Sequence, residues 1–201
     1  MKTLEDLVHN IEYETSLFLD KRSIHCLKAF IDGWSVTFED SYKLVHFQKY
    51  IEKLYKLERS HSWAAILSFI ARDECEALQL FFIEFKKIQS YSLEHIEVEN
   101  VYNDSFIEML QKIKKRPAMY ISKNSIYCLK AFLDGFMLSR PNDIESKILM
   151  KEFEIYIGKS NNLLAYSKSW AKMIDFYSGD EFLALEHFFK WFSEFQEQRC
   201  V

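Results

Sequence analysis

Two short stretches of this sequence contain residues that could carry out chemistry. The first places His25 directly before Cys26, and a histidine beside a cysteine can generate a thiolate nucleophile. Neighbouring residues on a helix, however, point about 100° apart, and the same stretch recurs later in the chain with Tyr127 in the place of the histidine. Cys26 and its counterpart Cys128 also fall among apolar residues, where a free thiol acts as a small hydrophobic group. We therefore expect both cysteines to be core residues.

The second stretch places an aspartate before a glycine, at Asp32-Gly33 and again at Asp134-Gly135. Two carboxylates facing each other could serve as a general acid and a general base. The alternative is structural, because a glycine within a helix allows a second helix to approach closely, or ends the helix, and the aspartate beside it is then solvated. We favour the structural interpretation.

The histidines and cysteines lack the spacing of a metal site. None of the six histidines has a second ligand at the distance found in zinc motifs, and the four cysteines form no C-x-x-C pair. The sequence also lacks the glycine-rich motifs that hold nucleotide phosphates. We predict no catalytic residue, no metal site and no cofactor, and therefore a protein that is not an enzyme.

The composition favours an all-α fold. The 201 residues include only four glycines and two prolines, too few for the many turns that connect strands. Aromatic residues make up 16% of the chain, which predicts a core of packed rings. The net charge of -4 gives no basic surface for nucleic acid, and no apolar run has the length of a signal peptide or a membrane span. We predict a cytoplasmic protein that contacts neither nucleic acid nor membrane.

The sequence contains two related copies of one unit. Residues 23–33 (SIHCLKAFIDG) recur as residues 125–135 (SIYCLKAFLDG), with nine of the eleven positions identical. The offset of 102 grows to 107 after an insertion in the second copy, where Trp63 corresponds to Trp170. Each copy is about 90 residues long, enough for a core of its own. We predict two tandem homologous helical domains, residues 1–91 and 105–201, packed as an intrachain pseudo-dimer.

Within each copy the apolar spacing predicts about five helices. Ser23 and Ser125 are expected to cap the second helix, since a serine hydroxyl accepts a hydrogen bond from one of the first free backbone N–H groups. Asp73 and Asp180 are expected at the start of the fifth helix, where a carboxylate also interacts favourably with the helix dipole. The tryptophan that begins the fourth helix of each copy is expected to be a core ring rather than part of a ligand cage.

A short acidic linker, residues 92–104, joins the two copies. It contains four acidic residues and no lysine or arginine, whereas the first copy has a net charge of -2 and the second a net charge of +2. The linker therefore carries a charge equal to that of the whole chain. A negative patch attracts a basic partner without demanding accurate geometry. Its acidic side chains are the candidate partner-binding residues: Glu94, Glu97, Glu99 and Asp104.

A set of motifs runs through the second copy in a fixed order, and the first copy lacks the Arg-Pro pair. The motifs are Arg116-Pro117, Met119-Tyr120-Ile121, Ser125-Ile126, Phe132, Gly135, Ser169-Trp170-Ala171 and Ala184-Leu185 with Phe188-Phe189 and Phe192. This order resembles small immunity proteins encoded beside bacterial polymorphic toxins, including contact-dependent growth-inhibition and Rhs-type systems. The match covers almost the whole chain, but it lies mainly in core and capping positions, which specify a fold better than an activity.

The resemblance implies a stoichiometric inhibitor, which binds the toxin of its own strain in the cytoplasm and blocks it without turnover. Many such toxins are basic nucleases, so the expected partner is the C-terminal domain of a cognate toxin, with a ribonuclease favoured. An acidic patch would suit the phosphate-binding site of such a toxin. The tandem copy departs from single-unit members of the family and leaves open which half contacts the toxin, as well as the oligomeric state.

Two other functions fit the sequence. A duplicated helical scaffold or regulatory protein that forms homo-oligomers would have the same composition; gene order separates it from an inhibitor, because an immunity gene follows the coding region of the toxin's C-terminal domain. An enzyme using the paired aspartates or the histidines would need a polar pocket with convergent titratable groups.

Overall fold

The computed structural model describes residues 3–36, 41–57, 61–89, 104–162 and 168–199. Within these ranges every regular element is a helix, as the scarcity of glycine and proline predicted. The twelve helices of the described residues are α1 (Leu4–Tyr13), α2 (Thr15–Phe18), α3 (Ile24–Ser35), α4 (Ser41–Leu54), α5 (Trp63–Ile70), α6 (Glu74–Gln89), α7 (Phe106–Lys115), α8 (Pro117–Tyr120), α9 (Ile126–Ser139), α10 (Ile144–Ser160), α11 (Trp170–Ser178) and α12 (Glu181–Arg199).

The helices form two series in the same order, α1 to α6 in the first half and α7 to α12 in the second. Helices α3 and α9 begin 102 residues apart, and α6 and α12 begin 107 residues apart. The sequence predicted about five helices in each copy, and the structure adds the one-turn helices α2 and α8. Four residues are too few to show a helical period, although Pro117 has the fixed φ that suits the first position of α8.

Polar side chains cap the helices at the predicted positions. Ser23 and Ser125 each accept a hydrogen bond at 3.2 Å from the backbone N–H group two residues later. Asp73 and Asp180 each accept one from the N–H group three residues later, at 2.8 and 3.1 Å. The predicted starts of α3, α9, α6 and α12 are therefore confirmed.

Each half encloses its own cluster of aromatic rings. The Trp63 ring lies 4.7 Å from that of Phe81 in the first half, and the Trp170 ring lies 4.9 Å from that of Phe188 in the second. Both tryptophans are buried, which confirms them as core rings. Buried phenylalanines from the fourth and sixth helix of each half complete the clusters: Phe47 and Phe85, Phe153 and Phe192.

Helices α3 and α9 approach each other so closely that their backbones nearly touch. A Cβ atom built on Gly33 would lie 2.1 Å from the carbonyl oxygen of Phe132, and one built on Gly135 would lie 2.1 Å from the carbonyl oxygen of Phe30. A side chain at either position would overlap a backbone atom, so only glycine fits. These glycines permit close helix approach, which is one of the two structural roles that the sequence left open.

The two helices run in the same direction. Cys26 and Cys128 lie in the first turns of α3 and α9, and their Sγ atoms are 3.8 Å apart. Gly33 and Gly135 lie in the third turns, and each meets a residue in the second turn of the other helix, Phe132 and Phe30. Contact between the two first turns, and between each third turn and the other second turn, requires that the helices run in the same direction. Both cysteines are buried, which agrees with their assignment to the core.

Replacing Gly33 or Gly135 with alanine is expected to destabilise the protein strongly. The added methyl group meets a backbone oxygen that cannot rotate away, so α3 and α9 must move apart. We expect a loss of about 2 kcal/mol or more in the free energy of unfolding, beyond the gain of up to ~1 kcal/mol from alanine's helix propensity. Denaturant unfolding followed by circular dichroism measures the change.

Gly179→Ala is the matched control. Gly179 has a positive φ of 71°, and no atom of the described residues lies within 4 Å of a Cβ built there. Its substitution should cost only the backbone strain of about 1 kcal/mol. A loss at Gly33 or Gly135 no larger than the loss at Gly179 would contradict the close crossing.

Candidate protein-binding surface

Of the four candidate partner-binding residues, only Asp104 lies within the described residues. Glu94, Glu97 and Glu99, with the rest of the predicted linker, lie outside them. Both carboxylate oxygens of Asp104 accept hydrogen bonds from the Lys112 ammonium group, at 2.8 and 2.7 Å. The charge of Asp104 is thus balanced locally, and the role of the four acidic residues in partner binding stays a prediction.

His25 and Cys26 face different neighbours. His25 Nδ1 lies 3.4 Å from the Ser122 hydroxyl, while Cys26 Sγ contacts Cys128. The contact with Cys128, together with burial, raises the pKa of the Cys26 thiol, and burial lowers the pKa of His25. Both shifts oppose the thiolate and imidazolium that a nucleophilic pair requires. The arrangement is that of a thiol packed in a core.

Asp32 and Asp134 are each held by a lysine of their own helix. Lys28 contacts Asp32 and Lys130 contacts Asp134, both at 2.5 Å and both one turn earlier in the helix. Burial raises the pKa of both carboxyl groups, and the lysines offset this only in part. The two aspartates are less solvated than the sequence suggested, because they lie beside the crossing of α3 and α9. Their ion pairs hold each carboxylate on its own helix.

A contact between Ser178 and His187 was missed at the level of sequence. Ser178 Oγ lies 2.7 Å from His187 Nδ1, and the same hydroxyl donates a hydrogen bond to the Ile174 carbonyl at 2.8 Å. The hydroxyl proton goes to that carbonyl and not to the imidazole, so the contact fastens α11 to α12 rather than activating the serine.

Within the described ranges, no group of three or more histidine, cysteine, aspartate or glutamate side chains is placed to hold a metal ion. Among the helices of these ranges, none combines the length and the apolar character needed to cross a lipid bilayer.

A polar cluster joins the two halves where α3, α9 and α12 begin. The Glu181 carboxylate contacts the Lys21 ammonium group and the Ser125 hydroxyl that caps α9. In the first half, Glu74 accepts a hydrogen bond at 2.8 Å from the backbone N–H group of Ile24. Since parallel helices bring two positive dipole ends together, carboxylates at this end are stabilising.

A groove of about 570 Å³ opens in the first half between α6 and the junction of α1 with α2. Three α6 residues give it an apolar wall, and the junction adds two carboxylates on either side of a tyrosine. That tyrosine, Tyr13, is 86% exposed. The apolar wall of the groove consists of Leu78, Phe82 and Ile83, and the junction contributes Glu12, Tyr13 and Glu14.

A second exposed apolar region lies at the turn between α11 and α12. Phe176 is 74% exposed, and Tyr177, Phe182 and Leu183 are exposed as well. Phe69, which corresponds to Phe176 in the first half, is 82% exposed. Clustered exposed rings are typical of surfaces that bind other proteins.

Each partner of the Lys21–Glu181 ion pair is followed in the chain by a residue of one of these regions. Arg22, which lines the groove, follows Lys21, and Phe182, at the turn, follows Glu181. The exposed rings left one signal in the sequence, since Phe69 falls off the buried stripe of α5.

Comparisons with known proteins identify no relative. No protein-family model, no curated protein and no solved structure matches this chain.

Glu181→Gln is expected to destabilise the protein at neutral pH by about 1 kcal/mol. Burial would raise the pKa of Glu181, but hydrogen bonds from Lys21 and Ser125 outweigh it and hold the pKa below the ordinary value of 4.5. A lowered pKa in the folded state means that the charged group stabilises the protein above the pKa of the unfolded chain. This stabilisation is lost as the pH falls through the folded value.

The difference in unfolding free energy between Glu181→Gln and the unaltered protein should therefore shrink toward zero in acid. Glu186→Gln, on the exposed face of the same helix, is the control and should change stability by less than about 0.5 kcal/mol at any pH. A difference that stays constant from neutral to acidic pH would show that the Glu181 charge does not stabilise the bridge.

Proposed function

We propose that this chain is an immunity protein that binds a cognate antibacterial toxin domain and blocks it by one-to-one contact, without turnover. The observation that carries the proposal is the pair of exposed apolar regions, the first-half groove beside Tyr13 and the turn between α11 and α12 with Phe176. An unpartnered protein seldom leaves groups of large apolar side chains in water, so a second protein is the natural occupant. The favoured toxin is a nuclease, with a ribonuclease first, and the site of action is the cytoplasm.

Inhibition of this kind needs a rigid surface rather than a reactive group. Packed rings and the close helix crossing hold the backbone of both halves in place. Such preorganisation lowers the entropy lost on binding, which otherwise cancels much of the contact energy. An interface of standard size buries about 1,600 Å² in total, and a few central rings carry most of its energy. Exposed rings such as Tyr13 and Phe176 are suited to that role.

We further propose that the two halves arose by tandem duplication and form an intrachain pseudo-dimer of domains 1–91 and 105–201. Cys26 and Cys128 occupy equivalent positions and contact each other, as residues on a two-fold axis do. Gly33 meets Phe132 while Gly135 meets Phe30, which is the reciprocal pattern of an interface between like surfaces.

The alternative, a duplicated scaffold protein that forms homo-oligomers and has no toxin partner, has one observation in its favour. Ile144, Ile148 and Ile155 are exposed along α10 at spacings that place them on one helix face. A second copy of the chain could cover this stripe.

Co-expression with the toxin domain encoded immediately upstream separates the two functions. We expect restored growth of cells that produce the toxin domain, and a 1:1 complex on size exclusion with light scattering. The inhibitor should act in stoichiometric amounts, because each molecule of it occupies one molecule of the toxin domain and carries out no turnover.

Failure to restore growth, together with oligomers of this chain alone, would favour the scaffold. Inactivation of many toxin molecules by one molecule of this protein would contradict inhibition by binding.

A further inference from the structure

The mouth of the first-half groove combines two carboxylates with an exposed ring. Tyr13 ends α1, and Glu14 leaves the helix with φ −141° and ψ 64°, which places the Glu12-Tyr13-Glu14 segment at the junction with α2. Ile83 in the apolar wall beside it is half exposed. A lysine or arginine side chain needs these three features: anions for the charged head, a ring face for the cation, and apolar surface for the stem.

The second half offers an internal comparison. At the positions equivalent to Glu12, Tyr13 and Glu14 it carries Lys114-Lys115-Arg116, all exposed. The buried face of the helix is unchanged, since Ile11 corresponds to Ile113 and both are fully buried. The fold therefore does not dictate the charge at this junction, and the acidic junction belongs to the surface chemistry of the first half alone.

We propose that this groove docks the toxin through a lysine or arginine side chain inserted between Glu12 and Glu14 against Tyr13. The inference rests on the proposed function and assigns the contact to the first half. The occupant is thus a basic surface of the toxin domain, which charge complementarity favours here and opposes at the equivalent place in the second half.

Two cations of the chain itself lie near this position. Lys86 contacts one oxygen of Glu12 at 2.7 Å, but its side chain is 59% exposed, so the pair is weak and its ammonium group can move away into water. Arg22 lines the same groove and would repel a second cation. The incoming cation therefore sits at the junction, where Glu14 is exposed, and not along the whole groove.

The test measures association and dissociation rates with the purified upstream-encoded toxin domain, at low and high salt. The double variant Glu12→Lys/Glu14→Lys should bind about 30-fold more weakly or worse and lose salt sensitivity of its association rate. The matched control Lys114→Glu/Arg116→Glu reverses charge at the equivalent junction and should stay within about fivefold of the unaltered protein. Circular dichroism melting checks that both variants fold.

A third variant distinguishes direct docking from a structural role of Glu12. Lys86→Met keeps the apolar stem and removes the competing cation, so it should bind the toxin about two- to fivefold more tightly. If Glu12 served only to hold α1 against α6, removal of its partner Lys86 would weaken binding or leave it unchanged.

The outcomes separate this inference from the proposed function. If the unaltered protein does not bind the toxin domain, the proposed function fails and the docking inference fails with it. A second outcome is that the unaltered protein binds the toxin domain while Glu12→Lys/Glu14→Lys and Lys114→Glu/Arg116→Glu change the affinity equally or not at all. In that case the proposed function stands and the first-half groove is excluded as the docking site. Weakening confined to Glu12→Lys/Glu14→Lys, with tighter binding by Lys86→Met, supports the proposal.

Discussion

The backbone contact between α3 and α9 is the constraint that holds the first half against the second. With glycine at 33 and 135, each helix lies against a carbonyl oxygen of the other, and no side chain separates them. Their parallel direction brings two helix N-termini together, which is electrostatically unfavourable unless negative charge is placed there. Glu74 and Glu181 supply that charge, and the contact of Glu181 with Lys21 ties the second half to the first.

Much of this arrangement was readable from the sequence, because it depends on local rules. Serine and aspartate caps act on N–H groups two or three residues away, and the repeated Asp-Gly pairs indicated either a close helix approach or a helix end, of which the structure shows the first. The one-turn helices were not readable, since four residues carry no period. The exposed surface was also missed, because whether an apolar side chain such as Tyr13 is covered depends on residues distant in the chain. The pairing of Asp104 with Lys112 likewise depends on where a loop meets a helix.

The two halves share their buried residues and differ in their exposed ones. Rings and small residues at the crossing recur in both, whereas the junction after the first helix is acidic in one half and basic in the other. A core must keep its shape for both halves to pack, but surface charge is free to change. Comparison within the chain thus separates residues that maintain the fold from residues available for a partner, and it directs attention to the first-half groove.

The α3–α9 crossing is tested most directly by a nuclear Overhauser experiment on protein selectively protonated at glycine, phenylalanine and cysteine. We expect a reciprocal pair of signals, between the Gly33 and Phe132 α-protons and between those of Gly135 and Phe30, together with a signal joining the β-protons of Cys26 and Cys128. If the glycine signals were absent, or if Cys26 were close to the end of α9 instead of its beginning, the parallel crossing would be wrong, and so would the arrangement of the two halves that depends on it.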